Sequence, residues 1–323
     1  MRTETDFYPC PKRADFLVAG LRKKLAGSLS YLLEFASVNH KIEPTKAQSK
    51  INQISNAPNV SGYLFALNKK LLDSLQNNDK QTVQEIIDEI ATGNYIFSDF
   101  SFTNFPTETR QKTWLSEVVC FEENCYPGPV RCEEDQYQIT KKGLEKAFQV
   151  LKDVDPELHG EIFSLASEAL IFDSKVMRTG SSFDLYGSIY YSQLRPHNDW
   201  LKFLEDTVHE AAHLYLFSFV GDDALVLNKF EKLYNIHFRD DKRALVGVYH
   251  GTFVLARILY FFDKLIKSGH PSIKGREDNL RELLAGWKQS FSDGLQVIER
   301  DGVLTPFAKD LMLDTKEKIS LID

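Results

Sequence analysis

The feature that most constrains the fold is a helix-forming run, residues 200–217, that contains two histidines four positions apart. The run has no proline or glycine, and its second half is apolar on nearly every side, which is typical of a buried helix. His209 and His213 would lie on the same helix face, with Glu210 beside them. Burial of such side chains without partners costs free energy. The motif therefore predicts a metal site, and a pair of hydrogen-bonded core histidines is the alternative.

Composition and charge exclude several classes of function. The 323 residues are 43% hydrophobic, enough to bury a large core, and the net charge of −7 argues against nucleic acid as a main partner. Residues 1–15 lack the apolar core of a signal peptide, and Arg257 and Asp263 interrupt the longest apolar run, 245–266. The four cysteines match no zinc-ribbon spacing. We therefore expect a cytoplasmic protein with neither nucleic acid nor a membrane as its partner.

Hydrophobic periodicity predicts a mainly α fold with a small β hairpin or sheet, in the α+β class. Two strand-like runs, residues 169–178 and 183–192, flank a turn at 179–182 and predict the hairpin. Apolar positions recur at helical spacing in most of the remaining chain. The predicted helices are 14–35, 63–75, 82–90, 141–152, 156–169, 224–234, 243–267, 279–298 and 306–319.

A proline- and glycine-rich turn at residues 125–129 suggests a domain boundary. Before it, residues 1–125 are predicted to form a helical N-terminal region. The hypothesis that this region binds a peptide is based only on its separation from the metal motif along the chain. After it, residues 126–323 form the metal-binding catalytic domain. The metal site is expected on buried helices of this C-terminal half.

The identity of the third metal ligand separates the possible functions. One group of zinc peptidases uses a histidine six residues after the motif, but that position is Phe219. Another group uses a glutamate on the next helix, and Glu231 stands close to that spacing, although its charged neighbours indicate a solvated face. His250 lies in an apolar run that predicts a second buried helix. We favour His250, and Glu231 remains the alternative.

Two arginines flank His250 at helical spacing. Arg257 follows it by seven residues, on the same helix face about 10 Å further along, with its side chain leaning back toward the helix N-terminus. An arginine so placed suits the far carboxylate of a metal-chelating diacid. Arg243, seven residues before His250, is the alternative clamp. For either arginine, the competing role is an ion pair with an acidic residue, the candidates being Asp206, Asp240 and Asp263.

These residues resemble a family of bacterial proteins described as peptide maturases with a His-Glu-x-x-His motif. The resemblance is closest over residues 180–260, and Ala244 departs from it, since a proline is expected after the arginine. The matching positions are Gly187 with its strand-like flanks, the motif from His209 to His213, and Arg243, Leu245, Gly247 and His250 leading to Arg257.

The resemblance implies hydroxylation, by iron(II), 2-oxoglutarate and O₂, of the β-carbon of a residue in a ribosomally made precursor peptide. The iron would be held by three histidines, which differ from the usual set of two histidines and one carboxylate, and 2-oxoglutarate would be held by Arg257 or Arg243. The three ligands are His209, His213 and His250.

Glu210 has a different role in each hypothesis. In the oxygenase it orients O₂ or the substrate, or positions a ligating histidine. In the first alternative, a zinc metallopeptidase of the HExxH type, it is the general base that activates a zinc-bound water. The second alternative is a non-catalytic peptide-binding protein. The sequence alone does not separate the two roles of Glu210.

Overall fold

The computed structural model describes residues 6–55, 57, 59–97, 99–120, 128–192, 199–236 and 241–322. Within these ranges the chain is mainly helical, with small sheets of two and three strands. The predicted class, mainly α with a small β component, is confirmed.

The helices cover most of the described chain. They are α1 (Pro11–His40), α2 (Thr45–Ile54), α3 (Tyr63–Gln76), α4 (Lys80–Thr92), α5 (Thr109–Val119), α6 (Glu134–Val154), α7 (Pro156–Leu165), α8 (Trp200–Phe217), α9 (Leu245–Ser268), α10 (Glu277–Asp301) and α11 (Pro306–Ser320). The bounds of α2 and α5 were not predicted; both helices are short, and each buries only three residues.

The strands are short. They are β1 (Asn59–Val60), β2 (Ile96–Phe97), β3 (Ser101–Asn104), β4 (Glu168–Phe172), β5 (Ser188–Ser192), β6 (Leu233–Tyr234) and β7 (Arg243–Ala244). The helix predicted over residues 224–234 is wrong. That segment contains turns and β6, which pairs antiparallel with β7, and Leu225 has a positive φ of 58° that a regular helix does not contain.

The predicted hairpin is also wrong. β4 pairs with β5 in parallel, with Leu170 opposite Tyr190, and β3 pairs in parallel with the other edge of β4. A tight turn cannot join parallel strands, so residues 173–187 form a longer connection. Every residue of β4 and β5 is buried. Continuous burial of this kind is typical of parallel strands, whereas a hairpin with one solvated face alternates.

The chain forms two compact units. The histidine unit comprises Met1–Arg13, Leu144–Ile162 and Trp200–Asp323, and in it α9 packs on α8, α10 and α11. The sheet unit comprises Ala14–Gly143 and Phe163–Asp199, and its apolar core joins helices α1 to α5 to strands of the three-stranded sheet. The functional division predicted at residue 125 lies outside the described residues and stays a prediction.

The central helix of the histidine unit, α9, is long and apolar enough to cross a membrane by length and composition. The interruption by Arg257 and Asp263 therefore does not exclude a span by length and composition. In its most apolar window 67% of the residues are buried inside the protein. The core helix of a globular protein passes the same test, so the finding is weak evidence for a membrane.

Candidate metal centre

The two motif histidines lie on α8, four residues apart and on one face, as the sequence predicts. Their ring centroids are 5.1 Å apart. Most of α8 is buried, but the histidine face is partly open, since the His209 side chain is 41% exposed and His213 is half-buried. The site therefore lies on a buried helix as expected, while its imidazoles are more accessible than the apolar flanks suggest.

The neighbouring helix α9 brings His250 to His213. The two ring centroids are 5.6 Å apart, and the two Nδ1 atoms are 3.4 Å apart. Two imidazole nitrogens bound to one metal, each about 2.0–2.1 Å from it, are separated by roughly 3.0–3.4 Å. The nitrogen pair is thus spaced like two ligands of one ion. Phe217 packs against both rings, at 6.1 Å and 5.5 Å between centroids.

The same nitrogen contact also fits the alternative of a hydrogen-bonded histidine pair. One Nδ1 would donate and the other would accept, and the tautomers decide which. Burial lowers the pKa of His250 to about 4, so its imidazole is neutral at pH 7. The neutral imidazole is the form that binds a metal.

The carboxylate beside the histidines belongs to Glu210. This residue is buried, and its Oε1 lies 3.9 Å from Nε2 of His209. No group of three or more His, Cys, Asp or Glu side chains in the described parts of the chain is arranged at metal-binding distances. The structure therefore brings together one pair of imidazoles with ligand-like spacing, His213 and His250, while His209 and Glu210 lie beside this pair on α8 outside ligand distance of one shared ion.

The alternative third ligand, Glu231, is placed differently. It is exposed and lies in the turn before β6, whereas the peptidase pattern requires a glutamate on a helix. Of the two residues considered for the third position, His250 is the one that contacts His213.

Arg257 occupies a closed environment in the core. Its side chain is 2% exposed, and its Nη1 lies 2.9 Å from Oε1 of Glu161 on α7. The guanidinium carbon also lies over three aromatic rings, 5.1–5.4 Å from the centroids of Phe7, Tyr215 and Phe253. Arg257 therefore forms an ion pair, which is the alternative role considered above. Its partner is Glu161, which was not among the candidate partners.

Glu161 joins Arg257 to the N-terminal segment. Its Oε2 accepts a hydrogen bond of 2.8 Å from the backbone N–H of Cys10 and lies 3.8 Å from Nη2 of Arg13. Side-chain exposure is 3% for Glu161 and 10% for Arg13. A buried carboxylate between two arginines is an expensive arrangement unless each group keeps its partners, so the loss of one arginine is expected to be costly.

Arg243 is more accessible than Arg257. It lies on β7 directly before α9, its side chain is 35% exposed, and its Nε is 2.6 Å from Oδ2 of Asp241. The aliphatic part packs on Gly247, where an added Cβ would lie 3.5 Å from Cβ of Arg243. Gly247 precedes His250 by three residues and so shares its helix face.

No protein-family model matches the chain, and no curated protein matches it significantly. The resemblance to the peptide maturases therefore depends on the motif residues alone. Sequence analysis missed Glu161 as a neighbour of Arg257, because no local spacing relates the two residues. It did find Phe217 as an aromatic residue beside the motif, since it follows His213 by four positions on the same helix.

Proposed function

We propose that this chain is a cytoplasmic iron(II)- and 2-oxoglutarate-dependent oxygenase that hydroxylates the β-carbon of a residue in a ribosomally made precursor peptide. The main observation in support is the contact of His213 with His250 across two helices, with His209 one turn away. Iron(II), 2-oxoglutarate and O₂ would together supply the oxidising chemistry, which amino-acid side chains do not provide.

The chain's own residues would hold and orient the reactants. His209, His213 and His250 would bind the metal through neutral nitrogens, and one partly open face of α8 and α9 would leave room for small ligands. Glu210, buried beside His209, would fix the orientation of that ring or hold a proton at Oε1.

For the anion-holding role we favour Arg243 over Arg257. Arg257 pairs with Glu161 and is enclosed by three aromatic rings. Its Nε and Nη2 have no hydrogen-bond partner among the described residues, but a second carboxylate would have to enter this closed part of the core to reach them. Arg243 is partly exposed, and its partner Asp241 has a side chain that is 54% exposed. A surface ion pair of this kind is weak, and an incoming carboxylate can replace it.

Formation of succinate from 2-oxoglutarate tests the proposal without knowledge of the peptide. Iron(II)-loaded protein is expected to form succinate slowly in air, and zinc-loaded protein is expected to form none. His250→Ala should reduce the rate by more than about 100-fold, because it removes one ligand. Glu231→Ala is the matched control and should keep the wild-type rate, because Glu231 is exposed in a turn.

A different pattern would support the zinc metallopeptidase. In that case the zinc-loaded protein hydrolyses peptides without O₂, succinate is not formed, and Glu231→Ala loses the metal. This outcome would contradict both the oxygenase and the assignment of His250.

A further inference from the structure

The sheet unit contains a cleft that the proposed chemistry does not use. Its volume is about 510 Å³, within the range of roughly 300–1,000 Å³ that is typical of small-molecule sites. The lining combines carboxylates and hydroxyls with apolar side chains from β2, β4 and α5, namely Phe97, Leu170 and Leu115. The cleft is therefore large enough for a ligand with a polar end and an apolar stem.

A buried glutamate, Glu168, lines this cleft. Glu168, the first residue of β4, is 6% exposed, and its Oε1 accepts hydrogen bonds from Ser61 Oγ and Gly62 N, both at 2.9 Å, and from Ser188 Oγ. The Thr103 hydroxyl donates to the same carboxylate. Burial raises the pKa of Glu168, and these four donors oppose that shift. The donors hold the carboxylate in a fixed orientation.

Two further carboxylates line the cleft. Glu108 caps the N-terminus of α5, where its Oε2 accepts from Gln111 N at 2.6 Å. Glu89, at the end of α4, is half-buried, and within the described ranges its carboxylate has no hydrogen bond or ion pair. Burial and the nearby Glu108 raise the pKa of Glu89, and the guanidinium of Arg110, which is not part of the lining, opposes that shift. The described lining carries three carboxylates against one guanidinium, that of the exposed Arg131.

A buried hydroxyl supplies independent evidence for a ligand. Tyr63 lines the cleft and is only 4% exposed, and its phenol oxygen has no hydrogen-bond partner among the described residues. Burial and the nearby carboxylates of Glu89 and Glu108 raise the pKa of this phenol. The hydroxyl therefore stays neutral. Buried hydroxyls normally have partners, so a group from a bound molecule would complete this one.

We propose that the cleft binds an organic cation, an ammonium or guanidinium group on an apolar stem. The cation lies among Glu89, Glu108 and Glu168 and donates a hydrogen bond to the Tyr63 hydroxyl. Such a cation is carried either by a free amine or by a basic side chain of a peptide. The peptide as ligand rests on the proposed function, whereas the free amine does not.

Calorimetric titration of the full chain tests this site. The probes are agmatine, a blocked tripeptide with a central arginine, and the same tripeptide with a central glutamine. We expect a cationic probe to bind and the neutral tripeptide not to bind. Glu89→Gln should weaken binding about tenfold and Tyr63→Phe several-fold, because each removes one interaction with the cation. Glu117→Gln is the control, since Glu117 pairs with Lys70 at the surface and is absent from the lining.

The outcomes separate the two sources. Binding of the tripeptide alone identifies a peptide side chain, and binding of agmatine alone identifies a free amine. The proposal is overturned if neither cation binds, if the neutral tripeptide binds equally, or if both cleft variants bind like the wild type. Succinate formation is measured separately, so failure here leaves the proposed oxygenase standing.

Discussion

Replacement of His213 by alanine is expected to abolish stoichiometric binding of iron(II), with an affinity loss of more than about 100-fold. His213 is the residue that touches both other histidines, at 5.1 Å from His209 and 5.6 Å from His250 between ring centroids. Its removal leaves two separate imidazoles on two helices. Metal analysis of anaerobically loaded and desalted protein measures the effect.

His270→Ala is the matched histidine control for this experiment. His270 precedes the short 3-10 turn after α9, where its Nδ1 lies 2.7 Å from the Ser272 hydroxyl. We expect this variant to retain one equivalent of iron(II). One equivalent of iron(II) in the His213→Ala protein would contradict the assignment of His213 as a ligand.

The second large effect is expected at Arg257, and it concerns stability. Arg257→Met should lower the free energy of unfolding by about 3 kcal/mol, because it leaves Glu161 buried beside only one, more distant arginine. It also removes the cation from the faces of three aromatic rings. Urea unfolding of the metal-free protein measures the loss.

Two further variants give this prediction its controls. Arg300→Met, which breaks an exposed ion pair with Asp301, should cost less than about 1 kcal/mol. Addition of Glu161→Gln to Arg257→Met should recover part of the loss, because the unpaired buried charge is then removed. An Arg257→Met protein of wild-type stability that no longer binds 2-oxoglutarate would show instead that Arg257 is the anion clamp.

Local patterns in the sequence were sufficient to predict the helices that hold the candidate site. Both α8 and α9 are long and strongly apolar, and the four-residue spacing of His209 and His213 requires no tertiary information. The placement of His250 beside His213 was inferred from its apolar surroundings. The structure places His250 beside His213 and Glu231 in an exposed turn, and the choice of His250 as the third ligand stays a prediction.

Long-range pairing could not be predicted in the same way. The parallel pairing of β4 with β5 spans a connection with no regular period, and β3 on the other edge of β4 is a four-residue strand of mostly polar side chains. The Arg257–Glu161 pair joins residues on α9 and α7 that no local spacing relates. The cleft around Glu168 likewise combines donors from distant parts of the chain, and none of them forms a recognisable motif.

The most direct test of the oxygenase is anaerobic addition of iron(II) and then 2-oxoglutarate, with the visible spectrum recorded for the charge-transfer band of a chelated 2-oxo acid. We predict a band in the wild type and in Glu231→Ala, its loss in His250→Ala, and weaker binding of 2-oxoglutarate in Arg243→Ala. Absence of the band from wild-type protein that holds one zinc ion, lost in Glu231→Ala, would contradict both the histidine centre and the proposed chemistry.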